Sequence, residues 1–148
     1  NGTGSLTLNP GLYVFKDAIW NLNTGWNVTG NGVTFYFNSE KSSIQINSGV
    51  NADISAPKSG AYADILMYEP NGLPRSPMVF NGNAGHRFKG LFYLPSRDAI
   101  FNGVSSVSSE SITFVFNTII LDTLDWKFHS AGRSIDPTGA KVGVTLAK

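Results

Sequence analysis

The phrase SIQINSG at residues 43–49 decides the fold of this chain, because four related phrases accompany it. Each copy is a short alternating strand, then an Asn or His, then a corner that contains Gly. The copies are IWNLNTG (19–25), SIQINSG (43–49), MVFNGNAG (78–85), AIFNGV (99–104) and DWKFHSAG (125–132). Their anchor residues, spaced by 24, 34, 21 and 27 positions, are Asn23, Asn47, Asn81, Asn102 and His129. Periods of this length indicate a solenoid, in which each repeat stacks on its neighbours.

Two further strands recur in each repeat. An aromatic or β-branched run precedes each phrase, at residues 12–15, 33–37, 64–68, 91–94 and 118–121. A weaker strand follows it, most clearly at residues 26–29, 51–55 and 86–89. Three strands per coil and about five coils predict an all-β fold, a single-stranded right-handed parallel β-helix with strands stacked ~4.8 Å apart. The alternation of inward and outward residues then predicts one internal ladder, formed by Leu22, Ile46, Phe80, Phe101 and Phe128.

The length of 148 residues suits a single domain, which we assign to residues 1–148. We expect residues 1–9 and 133–148 to cap the two ends, because an open sheet edge invites pairing with another chain. Insertions are expected at corners, the longest at residues 69–77 and a second, with its own short strand, at 103–111. The alternative fold is an antiparallel sandwich or jelly roll, which also has many short strands between turns. The aligned Asn corners favour the β-helix.

The composition restricts the classes of function. Charged residues make up only 14% of the chain and the net charge is +1, so nothing predicts binding to nucleic acid. The sequence has no apolar stretch long enough to span a bilayer, and we expect any membrane anchor to lie outside this chain. The absence of Cys excludes disulfides and thiolate metal sites. With two His and no phosphate-binding or dinucleotide motif, we expect neither a metal nor a cofactor.

Four stretches of the chain carry a series of phrases that is also found elsewhere. They are TLNPGLYVF (7–15), GNGVTFYF (30–37), INSGVNADISAPKSGAYADILMY (46–68) and FKGLFYLPSRDAIFNG (88–103). In this order they resemble the repeat region of bacterial Tad/Flp pilus-assembly proteins of the TadG-like (TadE/G-like) type. The resemblance implies an extracytoplasmic domain, with an N-terminal membrane anchor, that serves tight-adherence pili and surface attachment. It supplies no catalytic residues, and this chain lacks the Cys residues that many relatives carry near the C-terminus.

The densest polar group of the sequence lies between residues 86 and 98, and it predicts a surface-binding site for an anionic saccharide or a partner protein. Its members are His86, Arg87, Lys89, Arg97 and Asp98. The alternative is that these charges only keep one face of the solenoid soluble and discourage edge pairing.

Two other groups have a functional and a structural interpretation. Tyr36 and Tyr93 alternate with apolar residues, which predicts that they face outward, where aromatic rings can stack on sugars. Asp122 and Asp125, with His129 nearby, resemble the carboxylates of pectin-cleaving β-helix enzymes. Their spacing of three places the two Asp residues on opposite sides of a regular strand, although a corner between them would bring them together. Because no second acidic cluster and no arginine lies nearby in the sequence, we assign no catalytic residue. The Asn corners are expected to stack their amides across coils rather than to bind ligand.

The β-helix pattern together with the resemblance to TadG-like proteins implies a non-catalytic, extracytoplasmic structural or adhesive domain. Its expected partner is a pilus-assembly or cell-surface protein, or a surface polysaccharide. The alternatives are a carbohydrate-binding module and a polysaccharide lyase or hydrolase on the same scaffold. An enzyme would need two or more carboxylates close together in a cleft, and a binding module would need exposed aromatic side chains.

Overall fold

Parallel strands wound into coils make up the described structure. The computed structural model describes residues 3–81, 84–102, 106–109, 112–122 and 127–128. Within these ranges there is no helix, and hence none that is long and apolar enough to cross a membrane. The strands are β1 (Gly4–Leu8), β2 (Gly11–Phe15), β3 (Ile19–Leu22), β4 (Trp26–Asn31), β5 (Val33–Phe37), β6 (Ser43–Ile46), β7 (Asn51–Ser55), β8 (Ile65–Tyr68), β9 (Ser76–Asn81), β10 (Ala84–Asn102), β11 (Ser106–Ser109), β12 (Ile112–Leu121) and β13 (Lys127–Phe128).

The strands form three faces, which we name A, B and C. Face A contains β1, β4, β7, residues 84–89 of β10, β11 and β13. Face B contains β2, β5, β8, residues 90–94 of β10 and residues 112–116 of β12. Face C contains β3, β6, β9, residues 97–102 of β10 and residues 118–121 of β12. The pairings are parallel, and the chain passes through A, B and C before it starts the next coil. About five coils stack in this way, so the predicted parallel β-helix is confirmed and the antiparallel sandwich is wrong.

An apolar ladder runs through the interior beneath face C. Leu22, Ile46, Phe80 and Phe101 pair in register on successive coils, and none is more than 4% exposed. Phe80 and Phe101 stack with their ring centroids 4.7 Å apart. These four members of the predicted ladder are confirmed. They are buried because a regular strand alternates its side chains between the core and the solvent.

The last described coil has a different register from the predicted one. Phe101 pairs with Leu121, which takes the fifth position of the row but is 45% exposed, whereas β13, which contains Phe128, pairs with β11 on face A. The sequence predicts residues 118–121 in the strand position that forms face B. In the structure residues 112–116 occupy that position, and residues 118–121 lie on face C. The prediction failed because the apolar run of β12 is long enough for two strands, and its pattern does not show which half lies on which face.

Among the described residues the longest connection is 56–64, which we name the 56–64 loop; only residues 69–75 separate β8 from β9, so the prediction that the longest insertion is 69–77 is wrong. β7 ends at Ser55 and β8 begins only at Ile65, whereas Gly32 alone separates β4 from β5. The loop closes on itself, since the N–H of Asp64 donates to the carbonyl of Pro57 at 2.7 Å. The predicted strand within 103–111 is confirmed as β11.

The predicted end caps have different outcomes. Residues 1–9 contain β1, which pairs with β4 along its whole length and so continues the stack as part of the first coil. Residues 133–148 lie outside the described residues, and the assignment of the whole chain to one domain remains a prediction.

Gly90 allows β10 to turn from face A to face B. Its φ of +137° lies in the region that favours glycine, and a Cβ at this position would lie 2.7 Å from the Cβ of Ala56. The 56–64 loop therefore packs directly against the backbone at the turn. This contact holds the loop beside the outer surfaces of both faces.

Candidate functional site

A shallow polar depression of about 480 Å³ lies on the outside of face A, and we name it the polar depression. It is lined by Thr7, Thr29, Gly30, Asn31, Asp53, Ser55, Lys58 and Lys89. These residues come from four successive coils and from the 56–64 loop, which forms one wall. Two of the predicted site residues belong here: Lys89 lines the depression, and the exposed Arg87 lies beside Asp53 on the neighbouring strand.

Strand alternation brings these polar groups together. In β4, Val28 is fully buried and its neighbour Thr29 points outward; in β7, Ile54 is 2% exposed and Asp53 points outward. Thr29 pairs with both Thr7 and Asp53, so the outward residues stand above one another along face A. Neighbouring strands lie ~4.8 Å apart, and each coil therefore adds one polar position at this interval.

Hydrogen bonds fix several of these side chains. The hydroxyl oxygens of Thr7 and Thr29 lie 3.3 Å apart, and the hydroxyl of Ser55 donates to Oδ1 of Asn31 at 2.7 Å. Two residues before Thr29 and Asp53 in their strands, Nδ2 of Asn51 donates to Oδ1 of Asn27 at 2.9 Å. The face therefore presents ordered hydroxyl and amide groups, which can exchange hydrogen bonds with a polyhydroxyl ligand.

The charge around the polar depression is predominantly positive. Lys58, Arg87 and Lys89 stand against a single lining carboxylate, Asp53. Nζ of Lys58 also lies 3.4 Å from Oδ1 of Asp64, but the side chain of Lys58 is 79% exposed. An exposed ion pair of this kind contributes about 0–1 kcal/mol, so Lys58 can turn to an anionic ligand at little cost.

His86 lies in the interior and not on the surface that the sequence predicted. It is 3% exposed, its ring stacks on Phe88 with centroids 5.7 Å apart, and neither ring nitrogen has a hydrogen-bond partner among the described residues. Burial lowers the pKa of His86 to about 4, because the charged form loses its hydration. The reason for the correction is strand alternation: Arg87 and Lys89 face outward, so His86 between Gly85 and Arg87 faces inward.

Arg97 is also buried, so its predicted surface position is corrected in the same way. Its Nε donates to Oε2 of Glu69 at 2.7 Å, and both side chains are at most 1% exposed. The guanidinium also donates to the carbonyls of Ser39 and Glu40 and to the hydroxyl of Ser76. Arg97 therefore closes the corner between faces B and C from inside and is not available to a ligand. Sequence reasoning missed this role, because it places Glu69 in the corner insertion at residues 69–77.

Asp98 lies on the outside of face C, away from both the polar depression and the buried positions of His86 and Arg97. Its carboxylate accepts hydrogen bonds from Thr118, Asn117 and Arg75 at 2.6, 2.6 and 3.1 Å. These hydrogen bonds, that of Thr118 first, lower the pKa of Asp98 to about 2. The five predicted residues are thus divided among the outside of face A, the interior and the outside of face C. The role in surface binding stays a prediction for Arg87 and Lys89.

The outside of face B carries a column of tyrosines, one from each of three successive coils. Tyr36, Tyr68 and Tyr93 pair in register, with centroids 5.3 and 5.7 Å apart. All three are half-buried, and they alternate with buried residues such as Phe35, so the prediction that Tyr36 and Tyr93 face outward is confirmed. Tyr62, from the 56–64 loop, packs edge-to-face on the first two.

The Asn corners form an amide ladder. Asn47 donates to Asn23 at 2.9 Å, Asn81 donates to Asn47 at 3.0 Å, and Asn102 donates to Asn81 at 3.2 Å. The ladder connects coils along the edge of face C, as the sequence predicted. The next position is held by Asp122, whose N–H donates to the carbonyl of Phe101 at 3.0 Å. Residues 125 and 129, which were grouped with Asp122, lie outside the described residues.

Acidic and metal-binding groups are sparse at these surfaces. Within the described ranges, no three His, Cys, Asp or Glu residues stand close enough together to hold a metal ion.

Comparisons of the chain with protein-family models, with curated proteins and with solved structures gave no significant match.

Proposed function

We propose that this chain is a non-catalytic, extracytoplasmic attachment domain of a Tad-type pilus-assembly protein or a similar surface-attachment protein. In this proposal it attaches by binding an acidic polysaccharide in the polar depression. The single observation that carries the proposal is the lining of that depression. Hydroxyl and amide groups from three coils are combined there with Lys89 of the fourth coil and Lys58 of the loop, and Arg87 stands at its edge.

The spacing of the polar groups supports a repeating ligand. Equivalent positions on neighbouring coils are ~4.8 Å apart, so two coils span ~10 Å, which is similar to the length of a disaccharide in an extended chain. A polymer lying along the solenoid axis would meet an outward polar side chain at each coil, in the row Thr7, Thr29, Asp53 and Arg87. Because the strands are held in a continuous parallel ladder, little order has to be gained on binding.

The charges support an acidic ligand over a neutral one. The cations Lys58, Arg87 and Lys89 outnumber the nearby carboxylates, Asp53 in the lining and Asp64 beside Lys58, so this surface attracts a uronate or another anionic sugar, and such attraction is weakened by salt. The same count supports binding over cleavage. Glycoside hydrolysis ordinarily needs a pair of carboxyl groups on either side of the bond, and Asp53 is the one carboxylate in the lining of the depression.

The test is calorimetric titration of the domain with polygalacturonate hexamer at low and at physiological salt, with the sugar products analysed afterwards. The expected result is saturable binding that weakens with salt and leaves the hexamer intact. Lys58→Ala and Arg87→Ala should each weaken binding about fivefold, which corresponds to ~1 kcal/mol. Lys41→Ala is the matched control, since Lys41 is an exposed lysine outside the depression.

Two results would refute the proposal. Equal weakening by Lys41→Ala would mean that only the overall charge is sensed. Shortened sugar products that disappear in Asp53→Asn would make the domain an enzyme.

A further inference from the structure

The tyrosines on the outside of face B form a surface that the proposed function does not use. Tyr36, Tyr68 and Tyr93 stand one above another, and the hydroxyl of Tyr93 donates to Oδ1 of Asn71 at 2.8 Å. The five strand segments of face B contain no charged residue. An aromatic, uncharged surface beside a cationic one indicates that the two faces recognise different chemistry.

Tyr62 is positioned to act as a platform on this column. Its ring is inclined at 88° to Tyr36 and at 68° to Tyr68. The three ring centroids are 5.3, 6.0 and 6.4 Å apart, so Tyr62 lies beside the other two rings and not between them. Both contacts are edge-to-face, and Tyr62 is only half-buried, so part of its ring remains accessible to a ligand.

A second depression, of about 340 Å³, continues from this platform towards the first coil. Pro10, Leu12, Thr34 and Pro57 line it together with Tyr62. The lining again contains no charged side chain, and it combines apolar carbon with a few hydroxyl groups. This mixture matches a sugar, whose rings have apolar faces and hydroxyl rims.

The size of the surface argues against a stable protein dimer. Five strands stacked at ~4.8 Å, each about 17 Å long, give a face of roughly 400 Å². A standard protein–protein interface buries about 800 Å² on each partner. A narrow surface with a tyrosine on each of three successive coils instead fits a linear polymer that lies along the solenoid axis.

We propose that the outside of face B is a second saccharide-binding site, which takes an uncharged glycan chain, with one sugar ring stacked on Tyr62 and the following sugars along the tyrosine column. This site shares the 56–64 loop with the polar depression but uses different side chains of it, so each site can be removed by its own variant. The domain then holds two types of saccharide on two neighbouring faces.

The experiment titrates the full chain with four uncharged hexamers, those of cellulose, xylan, chitin and amylose, at low and high salt. At least one hexamer should bind saturably, with an affinity that salt does not change. Tyr62→Ala should weaken that binding at least tenfold, and Tyr62→Trp should restore it, because an indole ring provides the same stacking surface. Lys58→Ala changes the same loop but on the side that forms the wall of the polar depression. This variant should leave the binding of the uncharged hexamer unchanged.

A second variant and a second measurement keep the result interpretable. Tyr93→Ala changes the column without touching the 56–64 loop, and it should also weaken binding. Its thermal unfolding temperature should stay within a few degrees of that of the wild type. Failure of all four hexamers to bind would overturn the proposal, whether or not polygalacturonate binds. Equal binding by wild type and Tyr62→Ala would also overturn it. Self-association that Tyr62→Ala abolishes would assign the surface to a second copy of the chain instead.

Discussion

Replacing Arg97 with Met should destabilise the domain by about 4 kcal/mol, because the change leaves a buried carboxylate without its cation. The side chains of Arg97 and Glu69 are 1% and 0% exposed, and their ion pair is 2.7 Å long. Met retains most of the volume of the buried aliphatic part of Arg97, so the main loss is electrostatic. Removal of one partner of a buried pair ordinarily costs about 3–5 kcal/mol.

Other hydrogen bonds affect how far a second change can repair the loss. Arg97→Met also deprives the carbonyls of Ser39 and Glu40 of a donor. The double variant, Arg97→Met with Glu69→Met, no longer has an unpaired buried carboxylate. It also loses the acceptor of the Ser96 N–H, which lies 2.6 Å from Oε1 of Glu69 in the wild type. An unsatisfied buried group costs about 1–3 kcal/mol, so the double variant should recover roughly half of the loss.

The assay is urea and thermal unfolding of wild type, both single variants and the double variant, followed by circular dichroism. For a chain of this size, 4 kcal/mol corresponds to a decrease in Tm of roughly 12 °C. Arg75→Met is the matched control, since its ion pair with Asp98 is 3.1 Å long but Arg75 is 66% exposed, and its Tm should change little. The reasoning would be refuted if Arg97→Met cost less than about 1 kcal/mol, or if the double variant lost the sum of both single losses.

Three further predictions concern single residues. Burial lowers the pKa of His86 to about 4, whereas the pKa in the unfolded chain is ~6.5. The free energy of unfolding should therefore be highest above pH 6.5 and fall by about 3 kcal/mol towards pH 4. Urea unfolding measured across this range should show that His86→Phe removes the dependence. Gly90→Ala, with a Cβ 2.7 Å from its nearest neighbour, should cost about 3 kcal/mol in urea unfolding, whereas Gly60→Ala, where nothing lies within 4 Å, should cost about 1 kcal/mol; equal losses would contradict the role of the close contact. Hydrogen bonds lower the pKa of Asp98 to about 2, so its share of stability is present above pH 4 and lost below it, and an NMR titration should find a higher pKa in Thr118→Val.

The architecture was predictable because the same physical constraint recurs in every coil. Each Asn phrase ends a strand whose alternate residues must enter the core, and this repetition predicted the positions of Leu22, Ile46, Phe80 and Phe101. The outward position of Tyr36 and Tyr93 followed from the same alternation. The prediction failed where the repeat is irregular, in β12, because ten continuous strand residues offer no corner signal that divides face B from face C.

The candidate site was only partly predictable. Arg87 and Lys89 were found from local charge density, but Lys58 was not, since it reaches them only because the 56–64 loop folds back over the turn at Gly90. Asp53 carried a usable signal that was overlooked. It occupies the outward position of β7 directly beside Arg87.

The sequence by itself determined the coil repeat, the three-strand cross-section and the division of each strand into inward and outward residues, because these depend on interactions that are local or recur at a fixed period. Only the tertiary structure decided that Arg97 lies inside. Its guanidinium donates to carbonyls 57 and 58 positions earlier in the chain. Contacts of that range depend on the lengths of all the intervening corners, which fix the register of one coil on the next.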